Sequence, residues 1–175
     1  MLKNRTRCSW VRDDPIAIRY HDEEYGRPIS DDDELFERLA LEIFQAGLNW
    51  RLILHKQEAF RRAFSGFSIE RVANFTEKDV ERLMNDDGII RNRMKIEATI
   101  ENARRLKKLI RAYGSFANFV GGLDGKPEDL FKEFKREFRF MGPKIAESFL
   151  QSIGKLAPVH EPRCWKAKGR GRSRR

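Results

Sequence analysis

The chain has three histidines and two cysteines, and four of these five residues lie near its two ends. Cys8 and His21 sit near the start; His160 and Cys164 sit near the finish, with three residues between them in HEPRC. That second spacing lets both side chains reach one ion, and two thiolates with two imidazoles suit tetrahedral Zn²⁺. Four protein ligands leave no open coordination position. One Zn²⁺ held this way would be structural, clamping the N-terminal segment to the C-terminal one and contributing to folding. The alternative is two buried thiols and two incidental histidines. His55, among charged neighbours in a helical pattern, reads as a surface residue.

The second candidate is a carboxylate out of place. In LALEIFQAGLNW, a helix with Leu35 set at zero puts Leu39 at about 40°, Ile43 at about 80°, Ala46 at about 20° and Glu42 at about −20°, inside the apolar stripe. A buried carboxylate must find a donor, shift its pKa or face a pocket. A partly exposed edge position or a pairing with arginine would also account for it.

A third candidate is FRFMGPKIA followed by ESFLQSIG, from Phe138 onward. An apolar residue, a glycine turn at Gly142 and a helix opening with proline resemble the second half of a helix-hairpin-helix DNA-binding motif. Glycine would permit a tight turn, and free backbone N–H groups at the next helix's N-terminus can bind a phosphate. A plain connection between helices uses the same turn chemistry.

The elements that must position these residues read as helices throughout, so an all-α fold is expected. Ser30 with Asp33 makes a capping-box-like start for a helix over about 31–46 that Gly47 ends, and a second helix follows over about 49–64. Ser68 and Thr76 read as N-caps for short helices over about 69–74 and 77–85. Ile96, Ile100, Ala103, Leu106 and Ile110 mark a long helix over about 91–113, closed by Gly114. Further helices are expected over about 115–120, 127–137 and 143–153. There is no internal repeat.

With 175 residues, 40% hydrophobic content and 13 phenylalanines, the chain can bury a sizeable core and is not compositionally disordered. Residues 1–165 are expected to form one domain, which two helical lobes could build. The net charge of +9 suits a polyanion such as nucleic acid, although many basic proteins have no such partner. Residues 166–175, KAKGRGRSRR, contain six basic residues and no acidic one. That tail is expected to be disordered when free and drawn to phosphate, unless it is only a solvated extension. No apolar run approaches the roughly 20 residues needed to span a bilayer, and MLKNRTRCSW lacks the apolar core of a signal peptide. No membrane partner is expected. A cytoplasmic protein with reduced thiols is, nucleoid-associated if the cell is prokaryotic.

CSW at 8–10, YHDEEYG at 20–26, LFERLALEIFQAGLNW at 35–50, GIIRNRMKIEATIENAR at 88–104 and FRFMGPKIAESFLQSIG at 138–154 together resemble the DNA-3-methyladenine glycosylase I family, over nearly the whole chain from Cys8 to Cys164. The resemblance implies a helix-hairpin-helix glycosylase fold, a zinc clip, and hydrolytic excision of N3-methyladenine from double-stranded alkylated DNA, in base excision repair. It puts Cys8, His21, His160 and Cys164 on the family's zinc-ligand positions. Glu42 falls on the glutamate lining the family's base pocket, the position expected to carry catalysis. Trp50, Tyr20 and Tyr25 fall on aromatic positions around it, and Trp10 lies close by in the first motif.

Such a pocket suits its ligand, because N3 methylation makes the purine cationic. Aromatic faces attract a cation, and Glu42 can accept hydrogen bonds from the exocyclic amine. Two departures from the family pattern matter. Tyr25 stands where tryptophan is common, which could shift base preference. Lys144, expected with Gly142 to meet DNA, occupies the place where the wider superfamily's bifunctional glycosylase/lyases carry a Schiff-base lysine. The segment LAPVHEP, however, lacks the aspartate that helix-hairpin-helix glycosylases in general place after the hairpin, so phosphate binding or surface charge is the expected role for Lys144. A non-catalytic zinc-containing protein that binds damaged DNA, or a zinc-stabilised interaction module, would share these features. A monomer is the expected state.

Overall fold

The computed structural model describes residues 5–167, which form helices and connecting turns with no strand. The order is α1 (Pro15–Arg19), a π-helical turn (Tyr20–Glu24), α2 (Asp32–Gln45), α3 (Trp50–Ala63), a 3₁₀ turn (Ser65–Phe67), α4 (Ile69–Ala73), α5 (Glu77–Met84), α6 (Arg93–Tyr113), α7 (Phe116–Gly122), α8 (Pro127–Glu137) and α9 (Pro143–Ser152). The all-helical expectation holds across this span.

The centre of the fold is α2, packed against α3, α4, α6, α7 and α9. All ten residues from Leu35 to Phe44 are buried, so this helix has no solvent face along most of its length. Two phenylalanine clusters flank it. Phe44, Phe60, Phe64 and Phe67 pack on one side, with the Phe44 and Phe60 rings 4.6 Å apart. Phe116, Phe119, Phe134, Phe138 and Phe149 pack on the other.

An acidic run orients the helices around α2. Asp31 is its N-cap, accepting from the Glu34 amide at 2.9 Å. Asp32 accepts from the Ala117 amide at the start of α7, and Asp33 from the Ile69 amide at the start of α4. Three neighbouring carboxylates therefore satisfy three different helix N-termini, where orphan N–H groups and the helix dipole both favour negative charge. The expected Ser30 cap is corrected to Asp31: Asp33, the box partner Ser30 needed, is committed to α4. Ser68 and Thr76 do cap α4 and α5, the latter through a capping box with Asp79.

The two ends of the described chain meet. Cys8, Val11, Ala17, Tyr20, Leu54 and Cys164 form a second, smaller apolar cluster. The Trp165 amide donates to the Thr6 carbonyl at 2.8 Å, and the Gly26 amide to the Ser152 carbonyl at 2.8 Å. Gly154, at φ 72°, allows this approach, since a Cβ there would lie 2.5 Å from the Gly26 carbonyl oxygen. Of the basic tail, Lys166 and Ala167 belong to this structure, with the Lys166 ammonium 2.7 Å from the His21 carbonyl; residues 168–175 lie outside the described span. No helix among the described residues is long and apolar enough to cross a membrane.

Candidate functional site

The four predicted metal ligands converge. Asp14 caps α1, whose continuation into the π-helical turn carries Tyr20 and His21 into the interior. Cys8 enters from the segment before α1, and His160 and Cys164 from the segment after α9. Their ligand atoms all lie within 4.8 Å of one another. Cys8 Sγ is 3.5 Å from His160 Nδ1, and Cys164 Sγ is 3.3 Å from His21 Nε2 and 3.7 Å from His160 Nδ1. A tetrahedral Zn²⁺ with ordinary Zn–S and Zn–N bonds separates sulfur from nitrogen by about 3.6 Å. The donor set and spacing therefore fit that ion.

The surroundings fit as well. His21 presents Nε2 to the cluster while its Nδ1 meets Asp22 Oδ1 at 2.8 Å, the carboxylate contact that fixes a ligating imidazole. Asp22 is gripped by Arg7 at 2.7–3.0 Å and approached by the Trp165 indole. Burial opposes ionisation of Asp22, but hydrogen bonds from Arg7 and His21 outweigh it and hold the carboxyl at about 2. The Glu161 amide points at Cys8 Sγ at 3.3 Å, while the Glu161 carboxylate holds the backbone and hydroxyl of Ser9. Burial pushes the Cys8 thiol up to about 11, a preference that a bound divalent cation reverses.

Next to this cluster, Trp10, Tyr20, Tyr25, Glu42 and Trp50, the five residues singled out from the sequence, line one open cavity of about 200 Å³. The π-helical turn explains part of the arrangement. The Tyr25 amide donates to the Tyr20 carbonyl, five residues back, so both tyrosines fall on one side with ring centres 6.0 Å apart. Tyr20 also packs on Trp50 at 5.3 Å and on Trp10 at 6.2 Å. The Tyr25 hydroxyl accepts from the Val159 amide at 3.2 Å, and its ring meets the edge of His160. The pocket wall and the Cys/His cluster thus share a backbone segment. The Trp50 indole N–H is buried without a partner among the described residues.

Of the three charged residues buried on α2, two have partners. Glu37 accepts from Gln57 at 2.6 Å and from Arg61 at 2.9 Å. Arg38 reaches Glu24 at 3.4 Å and lies over the Tyr20 ring, 4.8 Å from its centre. Glu42, 6% exposed, makes no hydrogen bond among the described residues. Burial raises its pKa to about 7, with the Arg38 charge only partly offsetting that penalty. The carboxyl thus sits at the edge of ionisation at neutral pH, facing space.

Gln45, Ser148 and Gln151 complete the lining and were not foreseen from the sequence. Gln45 could have been found, being three residues after Glu42 on the same helical face. Nothing local marks Ser148 or Gln151, because α9 reaches the pocket only by packing against α2. Leu48, 37% exposed, stands on the turn beyond Gln45, whose side-chain amide donates to its carbonyl. His55 is exposed as expected and pairs with Asp14 at 2.6 Å.

The segment Phe138–Gly142, where the sequence suggested a glycine turn, connects α8 to α9, with one correction. Gly142 has φ −77°, open to any residue, and the left-handed residue is Phe140 at φ 56°. What glycine leaves at position 142 is space, since an added Cβ would meet nothing within 4 Å. Lys144, in the first turn of α9, is exposed and pairs with Glu147 at 2.8 Å.

The described residues thus form a helical fold around a buried carboxyl that has no hydrogen-bond partner among them and faces an aromatic pocket. Residues 10–130 match the methyladenine glycosylase family, and the chain belongs to that family. The DNA-3-methyladenine glycosylase 1 of Escherichia coli (strain K12) is 40% identical over 168 residues, covering 85% of this chain and 90% of that protein. Among solved structures, a 3-methyladenine DNA glycosylase I superposes with a TM-score of 0.82 at 39% identity, covering 92% of this chain and 99% of that one. The Staphylococcus aureus enzyme, solved to define its recognition of 3-methyladenine, superposes with a TM-score of 0.77 at 37% identity, covering 85% and 89%.

Proposed function

We propose that this protein is a monofunctional DNA glycosylase that hydrolyses the N-glycosidic bond of N3-methyladenine in alkylated DNA after flipping the nucleotide out of the stack. The observation that carries this is Glu42, a carboxyl buried without a donor among the described residues, in a pocket walled by Tyr20, Tyr25, Trp10 and Trp50. The missing partner is one the ligand supplies. A base that is cationic and bears an exocyclic N–H can donate to Glu42, stack on the aromatic faces and favour the ionised carboxyl. Neutral adenine offers less to each of these. A cationic purine is already a good leaving group, so holding it in an ion-pairing pocket while the sugar becomes oxocarbenium-like needs little further acid–base help.

Around the pocket, the parts expected to hold DNA are the start of α9 and the rim. No side chain caps α9, which leaves its first amides, with Gly142 and Lys144, for a phosphate. Exposed Leu48 can occupy the gap left by an extruded nucleotide. Cys8, His21, His160 and Cys164 would hold one Zn²⁺, whose contribution is to join the two chain ends and so brace the N-terminal segment that carries Tyr20 and Tyr25. One polypeptide contains every part named, which supports action as a monomer.

The test is excision from a duplex carrying one lesion at protein concentrations below saturation, where the rate reports ionisation of the free protein, followed against pH. Activity rising with an apparent pKa near 7, with that limb absent in Glu42→Gln, is expected from the raised pKa of Glu42. A profile flat across that range would refute the role given to Glu42. Borohydride should trap no adduct on abasic DNA, and a Lys144-dependent adduct would overturn the monofunctional assignment.

A further inference from the structure

Lys95 is a buried cation, 5% exposed, with no carboxylate partner among the described residues. Buried lysines are rare without one. Its ammonium donates to the Phe44 carbonyl at 2.9 Å and the Ala46 carbonyl at 2.7 Å. These belong to the last turn and C-cap of α2, a helix with no basic residue of its own there. They bracket Gln45, which lines the pocket, and the chain continues through Gly47, at φ 80°, and exposed Leu48 to Trp50. On its other side the ammonium lies 5.8 Å from the centre of the ring of Phe140, the left-handed residue of the turn before Gly142. Burial lowers the Lys95 pKa.

The same helix holds that turn twice more. Asn102, fully buried two turns along α6, accepts from the Arg139 amide at 2.6 Å and donates to the Arg139 carbonyl at 3.1 Å. Arg105 donates to the Glu137 carbonyl at 3.2 Å. One 21-residue helix therefore grips both the pocket-rim loop and the turn leading into α9.

We infer that Lys95 is a positioning residue that sets the register between the pocket rim at Ala46–Asn49 and the phosphate-facing turn at Phe138–Gly142, so that DNA held at one is aligned with the base entering the other. The inference rests on the glycosylase function proposed above. Lys95 touches no reacting atom. It replaces the flexible gap between two loops with a fixed distance measured from α6, and small misplacements of a reacting group are costly in rate.

The experiment uses the zinc-loaded, full-length protein and the variants Lys95→Met, which keeps the aliphatic stem, Asn102→Ala, and both together. Three quantities are read: the single-turnover excision rate on lesion duplex, the affinity for free 3-methyladenine, and amide exchange at residues 46–50 and 138–142. Lys95→Met is expected to slow excision by at least about tenfold. Free-base affinity should change by less than about threefold, because Glu42, Tyr20, Tyr25 and Trp10 lie off the rim loop, and of the pocket walls only Gln45 and Trp50 flank it. Exchange should quicken in the two loops. The double variant should lose little more than the worse single one, as residues acting as one unit do. Losses that multiply, a parallel loss of free-base binding, or an unchanged rate would each overturn the inference. If Lys95→Met does not fold, Phe140→Leu removes the ring over Lys95 while keeping an apolar side chain packed on the core, and must reproduce the rate loss without loss of free-base binding; an unchanged rate refutes the inference. If wild type releases no base, the proposed function fails, and exchange then decides this inference: quickening confined to the two loops in Lys95→Met supports it, and an unchanged pattern refutes it.

Discussion

Replacing Glu42 with glutamine should make the protein more stable, and increasingly so as the pH rises. Burial raises the Glu42 pKa from its ordinary 4.5 to about 7. The folded state therefore binds a proton that the unfolded state releases more easily, and between those two pH values folding takes up a proton. Stability then falls with rising pH across that window, and above about pH 7 the folded protein carries the whole cost of a desolvated charge. At about 1.4 kcal/mol for each tenfold change in proton affinity, the cost reaches about 3 kcal/mol. Glutamine keeps the shape and cannot ionise. Urea denaturation of metal-replete wild type and Glu42→Gln in matched buffers from about pH 4 to 8 isolates the effect, because all other titrating groups cancel in the difference. The two should be nearly equal at the acid end and differ by up to about 3 kcal/mol at the alkaline end, with glutamine the more stable. A difference that does not change with pH, or one that favours wild type as pH rises, would refute the placement of an unpaired carboxyl in this pocket.

Asp22→Asn weakens the carboxylate contact that orients His21 and should lower Zn²⁺ affinity by about 10- to 100-fold in competition with a chromophoric chelator, whereas unchanged affinity would remove Asp22 from the metal's support. Adding a chelator to Zn²⁺-loaded protein should lower the melting temperature and loosen Tyr20 and Tyr25, which a change in near-ultraviolet circular dichroism would report, whereas no change in either would speak against a structural ion at this cluster. Phe60→Ala, at a fully buried ring packed against Phe44 and Phe64, should cost about 3–5 kcal/mol in denaturant unfolding, and a cost below 1 would mean that the core collapses around the gap.

What could be read from the sequence follows from what is local. The helices over 32–45, 50–63, 93–113 and 127–137 declare themselves because their apolar residues recur at helical spacing and their caps are adjacent in sequence. The helix beginning at Pro15 escaped notice although Asp14 and Pro15 are a good start signal, because five residues are too few to show a period, and its continuation as a π-helical turn has no sequence signature. Glu42 was legible as an anomaly, since a carboxylate on an apolar stripe is visible without any structure. Its lack of a partner was not. That depends on Arg38 turning toward Glu24 and Tyr20, a choice made by tertiary packing. Likewise the Cys/His spacing suggested a clip, while Ser148 and Gln151 across the pocket, and Lys95 beneath its rim, acquire meaning only once α9 and α6 are docked on α2.

Glu42 is proposed to receive a methylated, cationic base in its pocket. The most direct measurement is release of free bases from methylated genomic DNA by wild type and Glu42→Ala, side by side, with products separated by chromatography and metal content and folding matched. Selective release of 3-methyladenine by wild type, falling sharply in the variant, is the predicted result. No release by folded, zinc-replete wild type, or equal release by both proteins, would contradict it.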